Sequence, residues 1–114
     1  MATLNIEKKL LRNGITLLVL SGELDAHTAP SLDNMINDLF KANNVKVILD
    51  LRDVSYISSH GIGILVSAQS RASEKHGSIV LMKPTPLVKE VFAMLEVAQI
   101  FPVVEDQEAA LAAF

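Results

Sequence analysis

Two polar segments hold most of the residues able to do chemistry. One is Ser21-Gly22-Glu23-Leu24-Asp25-Ala26-His27-Thr28. The other is Asp53-Val54-Ser55-Tyr56-Ile57-Ser58-Ser59-His60-Gly61-Ile62-Gly63. Together they offer carboxylates, hydroxyls and two of the three histidines. Their arrangement argues against catalysis. The side chains of Ser59 and His60 diverge because they are adjacent, so they do not form a nucleophile–base pair. There is no G-x-S-x-G elbow and no Walker motif. Gly61-Ile62-Gly63 lacks the third glycine of a dinucleotide fingerprint. His27, His60 and His76 are spread out, without the helical spacing of a zinc pair. With no cysteine in the chain, disulfides, thiolate metal sites and a cysteine nucleophile are excluded.

A serine at a helix start can do something else. Ser58 or Ser59 can cap the helix that follows by accepting from a free amide. Gly61 and Gly63 strip side chains from that first turn, at roughly 1 kcal/mol each relative to alanine. A bare turn allows close approach by another backbone or by a nucleotide. It also suits a phosphoserine. The added charge, about −1.5 to −2, would face free N–H groups and the positive end of the helix dipole. Phosphorylation there would alter the surface without unfolding the domain.

The elements that must position these segments follow from apolar spacing. Leu4, Ile6, Lys8 and Leu10 alternate with polar residues, which predicts a half-buried first strand. Asn13-Gly14 predicts a hairpin turn with both residues at positive φ. Ile15–Leu20 is the second strand, ending at Ser21-Gly22. A helix is predicted from Thr28 as cap, with Leu32, Met35, Ile36, Leu39 and Phe40 as its stripe. Val45–Leu51 reads as a strand buried on both faces. A helix from Ser59 to His76 follows, closed by Gly77 in a left-handed conformation. Ser78–Met82 is the next strand. Thr85-Pro86 opens a third helix with Leu87, Val88, Val91, Phe92 and Leu95 on one face. Ile100–Val104 is a last strand, and Asp106 caps a final helix.

The resulting order is β-β-α-β-α-β-α-β-α. It predicts an α/β fold with a mixed sheet of about five strands and four helices, antiparallel only at the opening hairpin. Binding sites in such sheets lie beyond the carboxyl ends of the parallel strands, where both polar segments fall. The 114 residues suit one domain, 1–114, and half are hydrophobic, enough for an aliphatic core. A net charge of −3 without a basic cluster gives no support to nucleic-acid binding. No apolar run approaches the roughly 20 residues of a membrane helix, and no secretory signal opens the chain. The expectation is a cytoplasmic domain without membrane insertion.

Two stretches resemble the STAS domains of bacterial anti-sigma factor antagonists. They are Leu20-Ser21-Gly22-Glu23-Leu24-Asp25 with His27-Thr28-Ala29, and Ile48-Leu49-Asp50-Leu51 leading to Ser59-x-Gly61-Ile62-Gly63-Ile64-Leu65. The resemblance extends to the element order of the whole chain. It implies a binding module rather than an enzyme, needing no cofactor of its own. In that family the unphosphorylated protein binds an anti-sigma factor that is also a serine kinase, which frees the sigma factor. Phosphorylation at the start of the second helix abolishes binding, and a metal-dependent serine phosphatase restores it. By position Ser59 is the acceptor, with Ser58 as the alternative. Asp25 matches the family aspartate that engages the kinase. Thr28, Ser58, Ser59, His60, Gly61 and Gly63 complete the implied partner-binding set. Two positions depart from the family pattern: Ser58 stands where aspartate is common, and His60 where a small residue is common. A STAS interaction module without phosphorylation control (a scaffold or transport-complex subunit) is the alternative, and nucleotide binding at Gly61–Gly63 is a third.

Overall fold

Apolar alternation in the strands and 3-4 spacing in the helices build a three-layered arrangement. The computed structural model describes residues 2–114. Its elements are β1 (Leu4–Leu10), β2 (Ile15–Leu24), α1 (Ala29–Lys41), β3 (Lys46–Ile57), α2 (Ser59–Glu74), β4 (Ser78–Met82), α3 (Pro86–Met94), β5 (Val103–Val104) and α4 (Gln107–Ala112). The strands lie side by side in chain order, β1-β2-β3-β4-β5. The pair β1–β2 is antiparallel and every other pair is parallel. Asn13 (φ 61°) and Gly14 (φ 71°) make the hairpin turn in the left-handed region, as their types predict.

Each helix α1 to α3 links neighbouring parallel strands, so all three cross on one face. There Leu32, Ile36, Leu65, Ala68, Val88 and Phe92 pack on Leu18, Leu20, Leu49, Leu51, Ile79 and Leu81. The opposite face carries Ile15, Leu17, Ile48, Val80 and Met82, which pack with Ala110 of α4. The strand β3 is therefore buried on both sides at Val47–Leu51. Each fully buried leucine or isoleucine contributes roughly 1.5–3 kcal/mol.

Four sequence expectations need correction. The strands β2 and β3 run on, to Leu24 and Ile57, through stretches read as polar loops. Helix α2 ends at Glu74, and the left-handed residue after it is His76 (φ 61°), not Gly77. Gly77 is required for a different reason: a Cβ there would stand 2.1 Å from the Val45 carbonyl oxygen. The predicted strand from Ile100 shrinks to Val103–Val104, because the Ile100 and Phe101 amides are drawn back to the Val97 carbonyl by the 3-10 turn Val97–Gln99. On α3 only Val88 and Phe92 of the predicted face are buried, while Leu87 (50%) and Leu95 (43%) are exposed. This helix packs against β3 and the Val97–Gln99 turn, with Val88 and Phe92 in the core.

Candidate functional site

Strand β3 is built to deliver Ser58 and Ser59. It pairs with β4 only from Lys46 to Asp50. Beyond Asp50 it continues alone with β2, out to the Leu24–Ile57 pair. Two register shifts in that ladder, between Val19 and Ser21 and between Gly22 and Glu23, give β3 two extra residues. The overhang is tied on its other edge by Thr85, whose hydroxyl donates to the Val54 carbonyl at 3.2 Å. The same hydroxyl accepts from the Val88 amide at 3.3 Å and so caps α3.

The turn into α2 is fixed by three contacts. The Ser58 amide donates to the Leu24 carbonyl at 2.9 Å. The Ser58 hydroxyl accepts from the Gly61 amide at 3.0 Å, making Ser58 the cap. Gly61 is buried, and a Cβ there would lie 2.9 Å from the Leu24 carbonyl oxygen and 3.2 Å from the Leu24 side chain. The missing side chain thus lets α2 close on the end of β2 within the chain itself. It does not open space for a partner or a nucleotide. Gly63 differs: it is exposed, with nothing within 4 Å of a Cβ placed on it.

With Ser58 committed to the cap, Ser59 is left exposed in the first turn. Its hydroxyl has no hydrogen-bond partner among the described residues. The two serines, of which the family resemblance favours Ser59, thereby differ in their bonding as well. Ser58 is half-buried and bonded, and it fills a capping role that aspartate fills equally well. The departure from the family pattern at Ser58 therefore leaves the helix start intact. His60 is exposed beside Ser59.

Asp25 follows Leu24, so the Ser58–Leu24 bond brings the Asp25 loop against the start of α2. Its Oδ1 accepts from the His27 amide at 2.9 Å and the Thr28 amide at 3.0 Å. Asp25 rather than Thr28 therefore holds the entry to α1. The expected Thr28 side-chain cap is absent, since its hydroxyl accepts from the Asp25 amide at 3.0 Å and donates to the Glu23 carbonyl at 2.7 Å. Thr28 is buried within the loop and serves to brace it. All hydrogen bonds to the Asp25 carboxylate use Oδ1, which leaves Oδ2 without a partner among the described residues.

The Thr28 amide is the main reason the Asp25 carboxyl sits below its ordinary 3.8. Partial burial pulls the other way, while the His27 amide, the Thr28 hydroxyl and the His27 ring add to the lowering. A depressed carboxyl stabilises the fold above its unfolded value, and the contribution is lost as pH falls through the folded one. In a carboxyl-carbon NMR titration, Asp25 should have its midpoint below 3.8, and the His27 and Thr28 amides should shift with it. A midpoint at or above 3.8 would show that the loop does not hold the charged form.

Tyr56 escaped the sequence reading as a site residue. It is the chain's single tyrosine, 46% exposed on the overhang next to the capped turn. A lone aromatic inside a polar segment of an aromatic-poor chain was the available signal. Among the described residues no group of histidines, aspartates or glutamates could hold a metal ion, and no helix is long and apolar enough to cross a membrane.

This fold, with a presented serine at the start of α2 and a braced aspartate beside it, is that of a STAS domain. A sequence model of the STAS domain matches residues 8–110, and the chain belongs to that family. BtrV of Bordetella bronchiseptica is 31% identical over 102 residues, covering 90% of this chain and 88% of that one. The anti-sigma F factor antagonist of Paenibacillus polymyxa is 23% identical over 99 residues, 86% of this chain and 85% of that one. Among known structures, the anti-sigma factor antagonist SpoIIAA in its unphosphorylated form superposes with a TM-score of 0.72 at 20% identity, over 96% of each chain. The phosphorylated form of SpoIIAA, from Bacillus, gives 0.73 at 19% identity, over 96% of this chain and all of that one.

Proposed function

We propose that this protein is an anti-sigma factor antagonist controlled by phosphorylation of Ser59. Its unphosphorylated form binds an anti-sigma factor that is also a serine kinase, and the sigma factor is released. Phosphorylation of Ser59 by that kinase ends the interaction, and a metal-dependent serine phosphatase resets it. The observation that carries this reading is the division of labour at the turn. Ser58 caps α2, and Ser59 stands exposed and unbonded next to the turn that the Ser58–Leu24 bond ties to the Asp25 loop. The names of the relatives support the partner class, and SpoIIAA of the same fold exists in both phosphorylation states. This chain contributes a binding surface and a phosphoacceptor. ATP, metal and catalysis belong to its partners, all in the bacterial cytoplasm.

The direct test is intact-mass spectrometry with peptide mapping, after incubation with ATP and an anti-sigma kinase of the same organism. One phosphate on Ser59 is the expected result. A phosphate on Ser58 moves the acceptor and contradicts the assignment made from capping. Stable binding without any phosphate identifies a STAS interaction module outside this control.

A further inference from the structure

Asp50 is one of three buried polar side chains among the described residues and the only carboxylate of the three. It is 6% exposed and takes no part in the site described above. It pairs with Val19 on one side and Met82 on the other, so its side chain lies on the α4 face of the sheet. That is the face opposite α2. Whatever Asp50 does for Ser59, it does through the backbone.

Its position is the fork of the sheet. Asp50–Met82 is the last pair between β3 and β4, and the first register shift between β2 and β3 follows at once. A bulge leaves one strand with a residue whose backbone groups have no place in the ladder. Here the Asp50 Oδ1 accepts from the Arg52 amide at 3.0 Å, a bond two residues along its own chain. The carboxylate therefore takes up a donor that the bulge leaves over, where an unpaired half-buried N–H would favour a different course for the strand. From this root the overhang runs to Ile57 and hands over to the Ser58–Leu24 bond and the cap of α2.

We infer that Asp50 is a positioning residue: its bond to the Arg52 amide fixes the bulge that aims the β3 overhang and presents Ser59 beside Asp25. The inference rests on the proposed role of Ser59 only where kinase kinetics are concerned. The geometry itself is measurable without a partner.

The experiment compares the whole protein with Asp50→Ala and Asp50→Asn, the latter keeping an acceptor oxygen in place. Amide hydrogen exchange by NMR should accelerate at Arg52, Ser58 and Gly61 in Asp50→Ala by roughly tenfold or more, with Leu49 and Val80 changed by less than about twofold. Asp50→Asn should restore protection to within about twofold of the parent. With a kinase that modifies the parent protein, kcat/KM for Ser59 should fall about tenfold or more in Asp50→Ala and recover in Asp50→Asn. Unchanged exchange at Ser58 and Gly61 in Asp50→Ala overturns the inference. So does uniform acceleration throughout the sheet, which would mark general support of the fold. Failure of Asp50→Asn to rescue overturns it too, since the acceptor would not then be what matters. If no kinase modifies the parent protein, the role of Ser59 fails while the exchange comparison still decides the role of Asp50.

Discussion

Ser59→Asp is expected to bind the anti-sigma partner at least about 100-fold more weakly than Ser59→Ala does. The two variants should unfold within about 2 °C of each other. Stability is spared because the side chain is exposed and unbonded, and because a negative charge in the first turn of α2 is favoured by the helix dipole. Binding is not spared. The partly exposed Asp25 already puts one charge near this surface, and Asp53 is exposed on the β3 overhang. Burying a further charge there against a partner that offers no counter-charge costs about 3 kcal/mol, which is about two decades in affinity. A phosphate, carrying nearly twice the charge, should weaken binding further. Ser59→Ala removes one hydroxyl and should bind as the parent does. Calorimetric titration of both variants against the purified partner measures the difference, and equal affinities would remove charge at Ser59 as the switch.

The second large effect concerns the end of α2. Gly77→Ala should destabilise the protein by about 3 kcal/mol. The added methyl would stand 2.1 Å from the Val45 carbonyl oxygen and 2.5 Å from the Val45 Cβ. That carbonyl also accepts from the Ser78 amide at 2.9 Å, which seats the start of β4. Relief of the overlap requires moving the β4 entrance away from β3. His76→Gly, one residue earlier, should be neutral or stabilising by up to about 1 kcal/mol, since it removes a non-glycine residue from φ 61°. Urea unfolding of both variants gives the comparison. A tolerated Gly77→Ala together with a damaging His76→Gly would return the left-handed role to Gly77.

That pair of residues also shows where a single sequence stops being informative. Lys75-His76-Gly77 contains the usual chemistry of a helix end, and glycine is the expected left-handed residue. Which residue takes the conformation was decided by the distance to Val45, a contact 32 positions away that no local pattern records. The overhang of β3 was hidden for a related reason. Its buried residues are Val54 and Ile57, three apart, because the bulges break the two-residue alternation that identifies a strand. The hairpin, the stripe on α1 and the doubly buried stretch Val47–Leu51 were legible because each is set by near neighbours or by unbroken hydrophobicity. At the site, helix-start chemistry brought the serines forward, and the family resemblance added the roles of Ser59 and Asp25. It preferred Ser59 but kept Ser58 as an alternative, and it placed on the partner surface Thr28 and Gly61, which are buried.

The side-by-side order of the strands has a kinetic meaning. Every strand from β2 onward pairs with the one made just before it, so the sheet can grow by one rung at a time as the chain leaves the ribosome. No strand has to be inserted between two that have already met. One surface stays open until the end. The face bearing Ile15, Leu17, Ile48, Val80 and Met82 is sealed by α4, which follows all five strands in the chain. Until Gln107–Ala112 has emerged, a nascent chain with a nearly finished sheet would still show that apolar face to chaperones.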